Sequence, residues 1–188
     1  MKTVLITGFD AFDGNVRNSS GEWVQWMLQN EKIFVEEKRL HGVVLPVEYE
    51  NSFNHLKQFI KTQNLNPDVI ILTGLAKNRQ QLSVERIGIN WLDFRIPDNK
   101  GIQVRNSKID VKGADGIFTT LDFEKIKKTV PDIAISTSAG EYVCNELLYR
   151  TLNEYQKENK EISFFHLPGG EDQMSVFIKL QNIVRSLL

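Results

Sequence analysis

In the stretch Pro131-Asp132-Ile133-Ala134-Ile135-Ser136-Thr137-Ser138-Ala139-Gly140, a short β-branched run ends in a turn of small residues. A helical apolar period then opens at about Glu141 and continues to about Gln156. A strand that feeds a helix through such a turn is one unit of an α/β domain, and it places the side chains after the turn at the carboxyl edge of the sheet. The unit recurs on both sides of this stretch. Thr3 to Thr7 reads as a first strand, and after a polar loop through Asn18, Ser19 or Ser20 caps a helix carrying Trp23, Trp26 and Met27. Gly42 to Val47 reads as a strand, Tyr49 to Thr62 as a helix, and Val69 to Thr73 as a buried strand announced by Asn66-Pro67-Asp68. Asp122 to Thr129 reads as a helix, Ile162 to His166 as a last strand, and Asp172 to Leu187 as a closing helix. The expected class is α/β, with a largely parallel sheet covered on both faces.

Between these units, Gln81 to Phe94 alternates only in part and predicts extended chain bent near Gly88. Arg95 to Gly113, rich in Pro, Asp, Asn and Gly, reads as a long excursion of the kind that forms lids or binding segments. With 188 residues, 41% of them hydrophobic, the chain suffices for one core and is read as a single domain over 1–188.

The 23 basic and 24 acidic residues leave a net charge of -1, which offers no electrostatic footprint for nucleic acid or an anionic membrane. The short apolar run at the N-terminus ends at Gly8 and lacks the pattern of a signal peptide, and no stretch approaches a membrane span. Cys144 is the only cysteine, so no intrachain disulfide forms, and a thiol kept reduced points to the cytoplasm.

That cysteine falls in the first turn of the helix after the quoted strand. Unpaired amides and the helix dipole at this position favour thiolate over thiol, and the same amides suit an oxyanion. On position alone, a small buried hydrophobe packing helix on sheet fits equally well. His166 ends a buried strand at the same edge, where an imidazole can take a thiol proton and return one to a leaving amine. His41 and His55 look ordinary, and His166 by itself also fits a hydrogen-bonded strand end. Glu85, set among Leu82, Val84 and Ile87, is a candidate to orient the imidazole; pairing with Arg86 or exposure to solvent accounts for it as well. There is no GxGxxG, Walker lysine, HExxH or GxSxG motif, and one cysteine with three histidines cannot build a structural zinc cluster. No nucleotide, metal or organic cofactor is implied.

The segment Ser136-Thr137-Ser138-Ala139-Gly140-Glu141-Tyr142-Val143-Cys144-Asn145 resembles the SNSAGxYxCN motif of the pyroglutamyl-peptidase I family. Gly74-Leu75-Ala76-Lys77-Asn78-Arg79 followed by Ser83-Val84-Glu85-Arg86-Ile87-Gly88-Ile89-Asn90 is similar to its GLAxGR…ERxAxN pattern, and Phe165-His166-Leu167-Pro168 to FIHVP. Phe94-Arg95-Ile96-Pro97-Asp98-Asn99 and the opening Thr7-Gly8-Phe9-Asp10-Ala11-Phe12-Asp13-Gly14 match two further family segments. The resemblance implies a three-layer α/β/α sandwich with a mostly parallel, mixed central sheet. It also implies a cysteine peptidase that removes an N-terminal pyroglutamyl residue from peptides, with Cys144 as nucleophile, His166 as general base and Glu85 as the third member.

By the same resemblance, Phe9 and Phe12 wall a slot for the lactam ring, and Asn18 and Val143 lie beside it. Leu75 offers a backbone donor, and Arg95 lies near the oxyanion. The partners implied are N-terminally pyroglutamylated peptides and further copies of the chain, a homo-oligomer such as a tetramer. Ala11, Asp13, Ser19 and Asn78 depart from the family's Pro, Gly, Pro and Gly, which leaves open a related cysteine amidohydrolase acting on another small cyclic or N-blocked amide, or a non-catalytic binding relative that keeps the fold.

Overall fold

The computed structural model describes residues 2–14 and 16–188. Six strands form the central sheet: β1 (Val4–Phe9), β2 (Leu40–Leu45), β3 (Val69–Ala76), β4 (Ser83–Glu85), β7 (Ala134–Ser136) and β8 (Glu161–Pro168), in the order β2-β1-β3-β8-β4-β7. β2, β1, β3 and β8 run parallel, whereas β4 pairs antiparallel with β8 and parallel with β7. The helices are α1 (Ser19–Asn30), α2 (Lys32–Glu36), α3 (Asn51–Thr62), α4 (Phe123–Thr129), α5 (Val143–Tyr155) and α6 (Gln173–Leu187). A separate ribbon joins β5 (Ile87–Ile89) to β6 (Gly116–Phe118). The result is the expected three-layer α/β/α arrangement with a mixed, mostly parallel sheet.

Strand alternation divides the apolar residues between two cores. Val4, Ile6, Val69, Ile71, Phe165 and Leu167 face α1, α4 and α6, where Trp23, Met27, Ile126 and Leu180 meet them. Leu5, Ile70, Leu72, Ile162 and Phe164 face α3 and α5, where Phe53, Leu56, Leu147, Leu148 and Leu152 close the second core. Among the described residues, no helix is long and apolar enough to cross a membrane.

Three details depart from the sequence expectations. The cap of α1 is Asn18, in extended conformation, whose side-chain oxygen accepts from the amide and the hydroxyl of Ser20 at 3.1 and 2.8 Å. Neither serine takes that role, because the Ser20 hydroxyl is drawn back to accept from the Phe9 amide at 3.0 Å. The loop between β1 and α1 contains Asn15, which lies outside the described residues. Next, β7 runs opposite to β8, so its own end does not bring the chain to the carboxyl ends of β1, β3 and β8. The connection 137–142 makes that return before α5 begins.

Finally, the excursion 95–113 is an organised arm. Leu92 bridges Ser107, the Phe94 amide donates to the Val104 carbonyl at 2.8 Å, and a turn closes at Asp98–Gly101, with Gly101 at φ +78. Leu92, Phe94 and Ile109 are buried from it into the α3/α5 core. β6 and α2 had no legible sequence signal.

β1 and α1 approach each other without room for a side chain. A Cβ on Gly8 would lie 2.1 Å from the Ser20 carbonyl oxygen, and one on Gly21 would lie 2.4 Å from that of Phe9. The backbone cannot yield there without moving Phe9 and Asn18. Gly8→Ala is therefore expected to destabilise the protein by about 2 kcal/mol or more, read as a lower urea midpoint at unchanged slope; a midpoint within error of the parent's would show that this packing has slack.

Candidate active site

Period-two alternation brings the sequence candidates to one face. In β8, Phe165 and Leu167 enter the α6 core, so Phe164 and His166 face α5. In β4, Val84 enters the α6 core, so Ser83 and Glu85 also face α5. The register pairs Ser83 with His166, which makes Glu85 and His166 diagonal neighbours across the antiparallel pair. The His166 Nδ1 to Glu85 Oε1 distance is 2.7 Å, and both side chains are buried.

Glu85 has a second partner on the same oxygen. Arg79 Nη2 lies 2.7 Å from Glu85 Oε1, and it also donates to the Ser138 carbonyl at 3.0 Å and to Ser136 Oγ at 3.3 Å. Arg79 Nη1 hydrogen-bonds Ser83. One guanidinium thus ties the carboxylate of β4 to the loop that leads into α5. Arg86, the neighbour considered from sequence, instead stacks its guanidinium over Phe123, 5.5 Å from the ring centroid.

Cys144 is the second residue of α5, and its sulfur sits over the backbone of Gly74, the register partner of His166 in β3. A Cβ on Gly74 would lie 2.8 Å from Cys144 Sγ and 2.9 Å from the Phe164 ring, so only glycine admits a thiol this close to the strand. The first turn of α5 is clamped on both sides. Asn145 accepts from the Ile89 amide at 2.9 Å and donates to the carbonyls of Ile89 and Trp91 at 2.8 and 3.0 Å. Glu146, buried beside Arg150, accepts from the Glu50 amide at 3.0 Å.

The electrostatics differ from the sequence expectation for the thiol. Burial, and then the negative charge of Glu85, push Cys144 up to about 12, outweighing the opposite pull of Arg79 and of backbone hydrogen bonding. Burial likewise holds His166 below its ordinary 6.5, against the raising effect of Glu85. Both shifts favour a neutral thiol and a neutral imidazole over a thiolate–imidazolium pair. Because an ionised carboxylate only accepts, Nδ1 carries the ring proton and Nε2 is left as a base.

Beside the sulfur is a pocket of about 50 Å³ lined by Phe9, Phe12, Asn18, Val47, Leu75, Tyr142, Val143 and Cys144. Tyr142 packs edge-on against Phe94 at 4.5 Å between centroids and faces Phe12 at 6.4 Å, while its hydroxyl donates to the Pro97 carbonyl at 3.0 Å. The arm latches the other walls. Asp98 accepts from the Tyr49 amide at 2.7 Å, the Asn99 amide donates to the Val47 carbonyl at 3.0 Å, and the Asn99 side chain donates to the Ala11 carbonyl at 2.9 Å. Asn18, besides capping α1, donates to the Asp10 carbonyl at 3.0 Å.

Five of the six expected binding residues thus line this pocket with Cys144. The exception is Arg95, whose side chain is exposed and absent from the lining; its carbonyl accepts from the Gln103 side chain at 3.2 Å. Alternation along the arm explains it, since Phe94 points inward and its neighbour outward. Asp13 is exposed at a turn with φ +53, and its charge acts on the Tyr142 phenol, which burial chiefly pushes up to about 12.

A sequence profile of the pyroglutamyl peptidase family matches residues 2–182. The chain belongs to that family. It is 33% identical over 180 residues to a pyrrolidone-carboxylate peptidase of Thermococcus litoralis, covering 93% of this chain and 80% of that protein. It is 36% identical over 181 residues to one from Bacillus cereus, covering 93% of this chain and 82% of the relative. The crystal structure of Bacillus amyloliquefaciens pyroglutamyl peptidase I superposes with a TM-score of 0.89 at 27% identity, covering 99% of this chain and 96% of that one.

Within this family frame, sequence reasoning passed over Arg79, Tyr142 and Val47. Arg79 and Tyr142 stood inside quoted motifs, and the signal available was a charge or an aromatic beside the turn that carries a candidate. The raised thiol yields a direct expectation. Iodoacetamide should label Cys144 slowly at neutral pH, with the rate climbing about tenfold per pH unit through pH 7–10. A rate already at its plateau at pH 7 would contradict the neutral pair.

Proposed function

We propose that the chain is a cysteine exopeptidase that removes an N-terminal pyroglutamyl residue from peptides. The observation that carries the reading is the coincidence, at one sheet edge, of a small aromatic-walled pocket ending on Cys144 with the buried His166–Glu85 pair beside it. A flat, neutral lactam suits a slot walled by Phe9, Phe12 and Tyr142 with a few backbone groups at its rim. A free amino-terminal glutamate would bring charges that this lining leaves unpaired.

In this reading the Cys144 sulfur attacks the pyroglutamyl carbonyl carbon as its proton passes to His166 Nε2. Backbone amides of the first turn of α5 receive the negative charge on the carbonyl oxygen. The C–N bond breaks with transfer of that proton to the leaving amine, giving a thioester. Water then attacks the thioester carbonyl as His166 takes its proton, and the C–S bond breaks with return of that proton to the sulfur, which regenerates the thiol and releases pyroglutamate. Glu85 acts through His166, fixing its tautomer and stabilising the transient imidazolium, and Arg79 positions Glu85. No step calls on a metal or organic cofactor.

The same reading makes the chain a one-domain enzyme of the cytoplasm, where a lone thiol stays reduced. The family pattern adds a homo-oligomer such as a tetramer.

A chromogenic pyroglutamyl amide should be cleaved, with its prolyl and glutamyl counterparts cleaved at least about a hundredfold less well. Cys144→Ala should abolish turnover, and Glu85→Gln should lower kcat by about 10²-fold or more. Equal cleavage of the prolyl amide, or activity surviving Cys144→Ala, would remove the reading.

Because a neutral His166 is the base, kcat/KM should rise with pH through a midpoint below 6.5. Arg79→Gln, which removes a cationic neighbour that lowers His166, should move that midpoint upward. A midpoint above 6.5 in the parent would contradict the assigned protonation.

A further inference from the structure

We propose that the cleft on the far side of Leu75 receives the peptide chain that follows the scissile bond; this rests on the pyroglutamyl-peptidase reading above. Leu75 is shared between the ring pocket and a second cleft of about 330 Å³, which Ser19, Lys77, Leu167, Gly169 and Gln173 help to line. That volume is at the lower end of the roughly 300–1,000 Å³ typical of small-ligand sites. The ring pocket, at about 50 Å³, holds no second residue, so the chain beyond the scissile amide has to leave it.

The direction of exit follows from the order of groups along the sheet edge. The ring pocket lies toward β1, the sulfur lies over Gly74 of β3, and His166 lies on β8. The amine that accepts a proton from His166 must therefore sit on the β8 side of the sulfur. β8 runs on from that imidazole to Leu167, whose side chain turns to the α6 face, and to Pro168, back on the face of the imidazole, and both residues line the cleft.

The lining has the chemistry of a site for neutral peptide. Arg17 is paired with Glu22, which also accepts from Gln173 at 2.6 Å, and Glu171 accepts from the Leu82 amide at 3.2 Å and pairs with Lys179. These carboxylates are thus matched within the protein and do not call for a cationic ligand. The floor, with Leu167, Pro168 and Val176, is apolar. Among the described residues one polar atom of the lining is left over: Ser19 Oγ is buried without a hydrogen-bond partner, on a residue that lines the cleft. A hydroxyl in that condition is costly unless a ligand satisfies it, and a peptide N–H or C=O would do so. The expected selectivity is for chain length, with weak preference among side chains.

The test compares pyroglutamyl-alaninamide with pyroglutamyl-Ala-Ala-Ala, which share the same scissile bond. In the parent protein, kcat/KM should rise about tenfold with the longer chain, as expected for one or two added hydrogen bonds. Ser19→Ala and Gln173→Ala should each cut that ratio by threefold or more. A ratio near one in the parent, or the parent's ratio in both variants, would overturn the assignment of the cleft while leaving the ring pocket intact. Failure of the parent to cleave either compound would instead remove the underlying reading, and the cleft assignment with it.

Discussion

The arrangement depends on a buried carboxylate with two cationic or polar partners on one oxygen. Glu85 is fully buried, and an isolated charge there would be driven to neutralise. Arg79 and His166 share its Oε1, each at 2.7 Å, and removing one partner of a buried charge typically costs about 3–5 kcal/mol. The same contacts set the site. Arg79 reaches on to Ser136 and Ser138, so the guanidinium that pairs with Glu85 also fixes the chain that delivers Cys144.

Around that charge, the fold places its functional atoms by close backbone approach. Gly74 clears the space for the sulfur, Gly8 and Gly21 let α1 settle against β1, and Asn18 joins the resulting helix end to the pocket loop. The arm from Leu92 to Ser107 does the corresponding work on the other side. Its Asp98 and Asn99 hold the segments carrying Val47 and Ala11, and its Phe94 and Pro97 seat Tyr142. A pocket this small owes its shape to contacts made several residues away from its lining.

The two cores were legible in the sequence because apolar periodicity tracks burial, and the strands around Ile6, Ile71 and Phe165 stand within a few residues of where it put them. Position offered Cys144, His166 and Glu85 as candidates and motif resemblance specified them, but the meeting of Glu85 with His166 depends on parity and register across β4 and β8, which decide which face each side chain takes. The direction of β7 was not legible, because three residues of strand carry no mark of parallel or antiparallel pairing. The thiol was misread for a related reason. A helix N-terminus lowers a thiol's pKa through local dipoles, whereas the burial and the Glu85 charge that raise it here come from distant parts of the chain. The segment of Arg95 serves the pocket through Asp98 and Asn99, while its own side chain is exposed outside the ring-pocket lining.

The central claim is that Glu85 fixes the proton of a neutral His166 on Nδ1 and leaves Nε2 free to act on the sulfur. Nitrogen-15 NMR of histidine-labelled protein near pH 8 reads this directly. The account predicts that the His166 Nδ1 resonance is that of a protonated nitrogen and Nε2 that of a bare one, with the pattern lost in Glu85→Gln. A proton found on Nε2, or a doubly protonated ring at that pH, would contradict it.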